Sequence, residues 1–152
     1  RETGRSSYFD AAVESFERLL HLDPDDPYAL NYLGYMFADS GVRLDRAVEL
    51  LSKAVALEPD NGAFLDSLGW AYFRQGDMER ANHFISRALS TMETEDELEA
   101  NAADQAIIFD HAGDIAHALG DLAEAVNHWT RALELAPEDE GLKDKLYLAP
   151  AP

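Results

Sequence analysis

Hydrophobic residues between positions 62 and 89 recur at intervals of three and four, which is the spacing of one face of an α-helix. The polar segment Gln75-Gly76-Asp77 separates two such runs and is typical of a tight turn. The pattern predicts two amphipathic helices that pack against each other. Gly69 and Ala88 have almost no side chain, so we expect the two helices to approach closely there. The apolar positions are Leu65, Leu68, Trp70, Tyr72, Phe73, Met78, Ala81, Phe84, Ile85, Ala88 and Leu89.

The same pattern recurs along the chain in a fixed register. The small residues Ala12, Ala47, Ala81 and Ala125 are separated by 35, 34 and 44 residues. Larger apolar residues, turn glycines and loop prolines keep this register: Phe16, Leu51, Ile85 and Trp129; Gly41, Gly76 and Gly120; Pro24, Pro59 and Pro137. A helical hairpin repeats about every 34 residues in one family of arrays, so the last interval is about ten residues too long. We place this insertion between Leu89 and Ala106.

The register predicts one array of helix pairs rather than several domains. Its parts are the second helix of a truncated repeat (1–26), two whole repeats (27–61 and 62–90), an insertion (91–105), a last repeat (106–139) and a capping helix with a tail (140–152). The insertion either extends the next helix back to about residue 95 or forms a separate short helix. We expect Leu142, Leu146 and Tyr147 to dock the cap. Since residues 1–26 lack a partner helix, we also expect the parent chain to continue upstream.

The segments Leu65-x2-Leu68-Gly69-x2-Tyr72 and Ala81-x3-Ile85 resemble the tetratricopeptide repeat. Three further segments are similar to those of bacterial members of this family, of which some are envelope-associated or lipid-anchored: Asn31-Tyr-Leu-Gly-Tyr35, Leu65-Asp-Ser-Leu-Gly-Trp70 and Asp110-His-Ala-Gly-Asp114. The resemblance implies an all-α fold, a right-handed superhelical solenoid of antiparallel helix pairs. It also implies that the first helix of each repeat lines a concave face. One such scaffold serves many partners, so the resemblance is specific for fold and not for function.

Charge narrows the choice of partner. The chain has 12 Lys and Arg residues against 30 Asp and Glu residues, a formal net charge of −18. Nucleic acids and anionic membrane surfaces are polyanions, so this charge argues against both. It favours a basic partner, or it reflects a solvated acidic surface. The sequence has no cysteine and no apolar run long enough to insert in a bilayer, and it leaves the compartment open between the cytoplasm and the cell envelope or periplasm.

The family resemblance also places a candidate peptide-binding groove on the concave face. By that resemblance its residues are Asn31, Tyr32, Tyr35, Asp66, Trp70, Phe73, Arg74, Asp110, His111, Asp114 and His117. Some members hold the carboxylate of a chaperone tail with Lys, Asn and Arg, but here the lysines are missing and Arg74 is the only strong base of the set. Aromatic residues at one end and Asp and His residues at the other predict a peptide with an apolar or aromatic side chain and a Lys or Arg.

Two site assignments stay open at this point. Trp70 and Phe73 either contact the ligand or pack in the core. Four residues of one predicted helix, Asp110, His111, Asp114 and His117, are of types that ligate divalent metals and share a helix face. No second ligand-bearing element can be placed against them, so we interpret them as polar groove residues and predict neither a metal nor a cofactor.

The sequence therefore favours a non-catalytic protein-interaction module that binds a peptide or protein segment in its concave groove. It has no Gly-rich phosphate loop, no cysteine and no Ser-His-Asp pattern on strand-turn-helix scaffolding, so we predict no catalytic residue. The alternative is a structural spacer or self-association unit of a larger array. In that case a homo-oligomer would form through the uncovered face of the first helix, at Phe9, Val13 and Phe16.

Overall fold

The structure is a computed structural model that describes residues 4–92 and 101–149, and all regular structure in those residues is α-helical. The helices are α1 (Gly4–Leu22), α2 (Pro27–Ser40), α3 (Leu44–Leu57), α4 (Gly62–Gln75), α5 (Met78–Ser90), α6 (Ala102–Ala118), α7 (Leu122–Leu135) and α8 (Glu140–Leu148). Within these ranges, no helix is both long enough and apolar enough to cross a membrane.

The helices pack in antiparallel pairs, α2 with α3, α4 with α5 and α6 with α7. Each pair also contacts the next one, through α3 with α4 and α5 with α6. This confirms the predicted all-α fold of paired helices. The first helices of successive pairs touch directly, α2 with α4 and α4 with α6, so they form one layer that we call the inner layer. The helices α3, α5 and α7 form the outer layer.

Side-chain caps and turn glycines set the ends of these helices. Asp26 precedes α2 and accepts hydrogen bonds from the backbone N–H groups of Tyr28 and Ala29, while Pro27 occupies the first turn. At the end of α4, Gly76 has φ +86°, a left-handed conformation that only glycine adopts without strain. The predicted turn at residues 75–77 is therefore built by the residue types that the sequence places there.

Close packing inside a pair depends on Gly69. A Cβ atom at this position would lie 3.2 Å from the carbonyl oxygen of Ala81 and 3.2 Å from the backbone nitrogen of Ile85. Because backbone atoms of α5 fill the space, the absent side chain is what lets α4 and α5 approach. The close approach predicted at Gly69 is present.

The buried side chains form two clusters. The larger one runs from Leu20 of α1 to Ile115 of α6, and its most deeply buried large residues include Phe37, Leu51 and Phe64. The smaller one belongs to the last two helices and the end of α6, and it consists of Ala116, Ala125, Trp129, Ala132 and Leu142. We call it the second core. It buries only two large side chains, so the C-terminal end of the array has much less apolar material than the rest.

The helix α6 begins at Ala102 and not near residue 95. Asn101 has φ −120° and ψ 37°, outside helical geometry, and it is the residue before the first helical turn. Asn has a lower helix propensity than the alanines Ala102 and Ala103 that follow it, which favours a helix that begins after Asn101. A single helix from about residue 95 would need helical geometry at Asn101, which this residue does not have. Residues 93–100 of the predicted insertion lie outside the described residues.

Two predicted apolar contacts are also wrong. Phe9, Val13 and Phe16 are partly buried and pack against the larger core, so they do not form an open face for self-association. The exposed large apolar residues of α1 are instead Tyr8, Leu19 and Leu22. In α8, Leu142 is buried and Leu146 packs against the second core, whereas Tyr147 points to solvent with 87% of its surface exposed and does not dock.

Candidate functional site

A groove of about 300 Å³ lies in the inner layer, between α2, α4 and α6. Tyr28, Tyr32 and Ile107 stand at its rim and are about half exposed, whereas Phe64 and Ile108 form a buried floor. The full lining is Tyr28, Asn31, Tyr32, Tyr35, Asn61, Ala63, Phe64, Asp66, Ser67, Asp104, Ile107 and Ile108. Three successive first helices therefore supply an open site with mostly apolar walls.

Neighbouring rings fix the two rim tyrosines. The Tyr28 ring meets Phe64 edge-on, with ring centroids 5.5 Å apart, and Tyr32 stacks on Phe16 of α1 at 5.9 Å. Such aromatic pairs add about 0.5–1.5 kcal/mol beyond the burial of their surface. The rim is consequently pre-organised, and a ligand would lose little free energy in ordering it.

The groove has acceptors and carboxylates but no cation. Of the described residues that line it, none is Lys, Arg or His, and Asp66 and Asp104 are the acidic ones. The side-chain oxygen Oδ1 of Asn31 is buried without a hydrogen-bond partner in the described part of the chain. Burial and the nearby carboxylates of Asp39 and Asp66 raise the pKa of Tyr35, so its hydroxyl keeps its proton. A ligand with N–H donors fits this surface better than one with carboxylates.

Beneath the groove, a buried ion pair joins two repeats. His111 of α6 places Nδ1 2.9 Å from Oδ1 of Asp66 on α4, and both residues are less than a tenth exposed. Burial alone lowers the pKa of His111, but the facing carboxylates, first that of Asp66, outweigh it, and the pKa is raised. The imidazole stacks on Trp70 with centroids 3.9 Å apart, and Trp70 stacks on Phe73 at 4.8 Å. This arrangement holds α4 and α6 together as the floor of the groove.

The structure buries three of the predicted contact residues to more than nine-tenths. Trp70 and His111 pack between α4 and α6, and Asp66 lines the groove but is engaged by His111. For Trp70 the core-packing alternative is right, although its Nε1–H is left without a partner among the described residues. These residues support the groove from below.

Other predicted residues lie away from the groove. Phe73 is partly buried and packs beside Trp70, toward the C-terminal end of α4. The guanidinium of Arg74 donates to the backbone oxygen of Asp39 at 2.7 Å, which ties the ends of α2 and α4 together. His117 lies over the second core, its ring centroid 5.7 Å from that of Trp129. Of the predicted set, the groove lining in the described structure contains Asn31, Tyr32, Tyr35 and the buried Asp66.

The predicted acidic end is neutralised by the chain itself. Nζ of Lys145, on α8, lies 2.7 Å from Oδ1 of Asp110 and 2.9 Å from a carboxylate oxygen of Asp114. The indole N–H of Trp129 donates to Asp114 at 3.1 Å. Burial lowers the pKa of Lys145, but its bonds to the two carboxylates outweigh this and raise it. Both carboxylates at this end are therefore already bonded within the described structure, and one of the two negative charges is compensated.

Phe64, Ile108 and Lys145 were not among the predicted site residues, although the repeat register relates each of them to the site. Phe64 and Ile108 are separated by 44 residues, the interval of the last two repeats, and occupy equivalent positions on α4 and α6. Lys145 follows Asp110 by 35 residues, the interval of the first repeats, which places α8 where another first helix would stand. Among the described residues, no group of three or more His, Cys, Asp or Glu side chains is placed to hold a metal ion.

Comparison with known proteins identifies the type of repeat. Sequence profiles described as tetratricopeptide repeat match residues 5–47, 42–91 and 106–139. No curated protein sequence matches the chain significantly. Profiles of this kind cover more than half of the chain and all three helix pairs, and neither of them describes an enzyme.

Solved structures with a similar fold include those of MamA and of RPAP3 domains. A MamA crystal structure is 22% identical with a TM-score of 0.68 over 95% of this chain and 73% of that one. MamA 41-end from Desulfovibrio magneticus RS-1 is 21% identical, with a TM-score of 0.66, over 88% of this chain and 70% of that one. The first TPR domain of human RPAP3 is 22% identical with a TM-score of 0.66 over 82% and 89%. The first TPR of Spaghetti (RPAP3), also 22% identical with a TM-score of 0.66, has been solved bound to the HSP90 peptide SRMEEVD. At these identities the likeness shows the fold alone.

Proposed function

The chain belongs to the tetratricopeptide repeat family, and from that premise we propose that it is a protein-interaction module that binds a peptide segment in the groove between α2, α4 and α6. The observation that carries the proposal is the open groove itself: three half-exposed apolar side chains surround a buried acceptor that has no partner in the described structure. Exposed apolar surface rimmed by polar groups is typical of interaction sites.

The apolar walls define one half of the ligand. Tyr28, Tyr32 and Ile107 can enclose one large aliphatic or aromatic side chain, with Phe64 beneath it. Aromatic anchors in such places are frequent hot spots, whose truncation weakens binding by about 2 kcal/mol or more, or about 30-fold in affinity. We therefore expect the bound segment to insert one such side chain.

The polar groups define the other half. Asn31 lines the groove, and its buried Oδ1 is an acceptor without a partner in the described structure. Rotation of this side chain would offer the oxygen to a main-chain N–H of an extended segment and remove the penalty of an unpaired buried acceptor. The carboxylate of Asp104, at the exposed entrance, suits a Lys or Arg of the ligand. A ligand carboxylate would meet like charge and no cation, so we propose a neutral or basic segment and not an acidic terminus.

Selection from a random library of 12-residue peptides, followed by fluorescence titration with the full chain, tests the proposal. We expect enriched peptides to carry a large apolar residue, and their affinity to fall about 30-fold in Tyr32→Ala. Tyr147→Ala is the matched control, since it removes the same side chain from an exposed site outside the groove. Equal affinities for both variants, with both folded, would refute the groove as the binding site.

The peptide SRMEEVD serves as an acidic probe of the electrostatic part. We expect it not to bind, because three carboxylate side chains and a C-terminal carboxylate would meet the exposed carboxylate of Asp104, and no described Lys, Arg or His lines the groove. Binding that Tyr32→Ala abolishes would keep the groove and overturn the preference for neutral or basic ligands.

The exposed face of α1 supports a second candidate, self-association. Tyr8 and Leu22 are about four-fifths exposed, and Leu19 between them is also exposed. Sedimentation equilibrium above micromolar concentration tests it: Leu22→Asp should shift any dimer to monomer, while Leu119→Asp, at another exposed site, should not. A wild-type chain that stays monomeric would rule this candidate out.

A further inference from the structure

The C-terminal helix α8 is held by a few contacts on a separate small core. Leu142 is buried between α6 and α7, Leu146 packs beside it, and the cluster beneath contains Ala116, Trp129 and other residues of the second core. The outer side of the helix, with Tyr147 and Leu148, is exposed. Its inward contacts thus come from two leucines four residues apart, which is the spacing of one helix face.

Lys145 adds polar contacts to the apolar packing of α8 on the second core. Its ammonium contacts both Asp110 and Asp114, and it lies 5.9 Å from the centroid of the Trp129 ring. The indole N–H of Trp129 holds Asp114 in place from the other side. Two carboxylates and an aromatic face around one ammonium form a site that distinguishes a lysine from a neutral residue.

The attachment of α8 is weak enough to open. A helix of nine residues is too short to be stable by itself, and only one large side chain of α8 is fully buried. The ion pair is about a third exposed, where such pairs contribute little. Elements with few buried contacts open locally, and minor states of this kind are populated at about 0.1–10%. The surface under α8 is then vacant for a small fraction of the time.

We propose that this surface is a second docking site, for an amphipathic helix of a partner protein, and that α8 occupies it in cis. The partner helix has the pattern of Leu142 to Leu146, two leucines four apart with a lysine directly before the second. Charge complementarity selects this occupant, because Asp110 and Asp114 require a cation at that place. Such a helix replaces α8, so the C-terminal helix competes with it. The site is distinct from the groove between α2, α4 and α6 and does not depend on it.

A fluorescent peptide of residues 138–149 is the probe, titrated into three forms of the full chain. In the opened form, Leu142→Asp with Lys145→Glu weakens α8 in cis. In the control form, Lys143→Glu with Tyr147→Asp makes similar changes on the outer side of the helix. We expect the opened form to bind the peptide at least about tenfold more tightly than the wild type and the control, because the site is no longer occupied.

The peptide itself carries the second comparison. A peptide with Lys145→Glu should bind the opened form at least about tenfold more weakly than the native peptide. Equal affinity for the three forms of the chain, or for the two peptides, would overturn the proposal. A wild-type dimer in sedimentation that is lost in the opened form would show that a second copy of α8, and not a partner helix, is the occupant.

Hydrogen exchange of the wild-type chain keeps the proposal testable should the opened form not fold. We expect the backbone amides of residues 144–148 to exchange at least about tenfold faster than those in the middle of α6, because α8 opens locally. Equal protection in both helices would show that α8 leaves its seat only on global unfolding, and the proposed competition would be refuted.

Discussion

Residues at equivalent repeat positions are paired at one end of the inner layer and lie beside an open groove at the other end. Asn31, Asp66 and Asp110 are separated by 35 and 44 residues and occupy equivalent places on α2, α4 and α6. Asp66 pairs with His111 and Asp110 pairs with Lys145, each on the next first helix or its counterpart α8. At the N-terminal end, Asn31 has no partner in the described structure, and a groove is open beside it.

The difference arises from the length of one side chain. Ser67 occupies the place on α4 that His111 occupies on α6, 44 residues later. Its short side chain does not bond to Asn31 and lines the groove instead. The size and charge of one residue on the next first helix thus decide whether a site between two repeats is open or filled. The backbone of the array does not have to change.

The largest expected effect tests how much the second core, at the C-terminal end of the inner layer, contributes to the stability of the fold. Trp129→Ala should lower the free energy of unfolding by about 3–5 kcal/mol, since it leaves a cavity in the second core and removes the N–H that holds Asp114. Urea denaturation measures this. Tyr147→Ala, on an exposed aromatic residue of the same end, should change stability by less than about 0.5 kcal/mol. A small effect of Trp129→Ala would mean that the second core contributes little to folding.

A pH series tests the buried pair between the two ends. The pKa of His111 is raised in the folded state, so the pair stabilises the fold fully below the unfolded pKa of about 6.5 and loses this contribution as the pH rises through the folded value. Each unit of difference in pKa corresponds to about 1.4 kcal/mol. The groups facing the imidazole are Asp66, Asp110 and Asp114, with Tyr35 and Trp70 packed beside it.

His111→Gln isolates this contribution from other titrating groups. The stability difference between wild type and variant, from urea denaturation at pH 6 and pH 9, should shrink at the higher pH. A difference that is the same at both values would show that His111 does not titrate between them, and the assignment of a charged pair would be wrong.

The spacing of the repeats in the sequence was sufficient to predict the fold, but it was not sufficient to predict which site residues are buried. Helix pairs, the cap at Asp26 and the left-handed glycine at Gly76 follow from local residue types and spacing. The burial of Asp66 does not, because it depends on a partner 45 residues away, across a segment whose length breaks the repeat. The bond between Asp110 and Lys145 spans 35 residues and could be predicted by treating α8 as one more first helix.

A substitution that fills the open groove, as His111 fills the equivalent place on α6, tests the comparison directly. Ser67→His would place an imidazole in the groove, within the reach of Asn31, as His111 lies within reach of Asp66. We expect the affinity for a library-selected peptide to fall about 30-fold, the equivalent of about 2 kcal/mol, because the imidazole occupies the ligand's volume. Ser67→Ala is the control and should bind normally. Unchanged binding by a folded Ser67→His chain would place the peptide elsewhere.

The smallest expected effect concerns Lys145. Lys145→Met keeps a long side chain near Trp129 but removes the ammonium, and its loss should cost at most about 1 kcal/mol, since the pair is a third exposed and screened by solvent. The effect should diminish between 0.05 and 1 M salt (on the order of a threefold to fivefold shorter screening length), whereas the deeply buried pair of Asp66 and His111 should respond much less. Lys143→Met, at an exposed pair with Glu140, gives the baseline. Salt-independent destabilisation by Lys145→Met would mean that packing, and not charge, holds α8 in place. The pairs of Lys145 and of His111 would then differ in the type of interaction and not only in their burial.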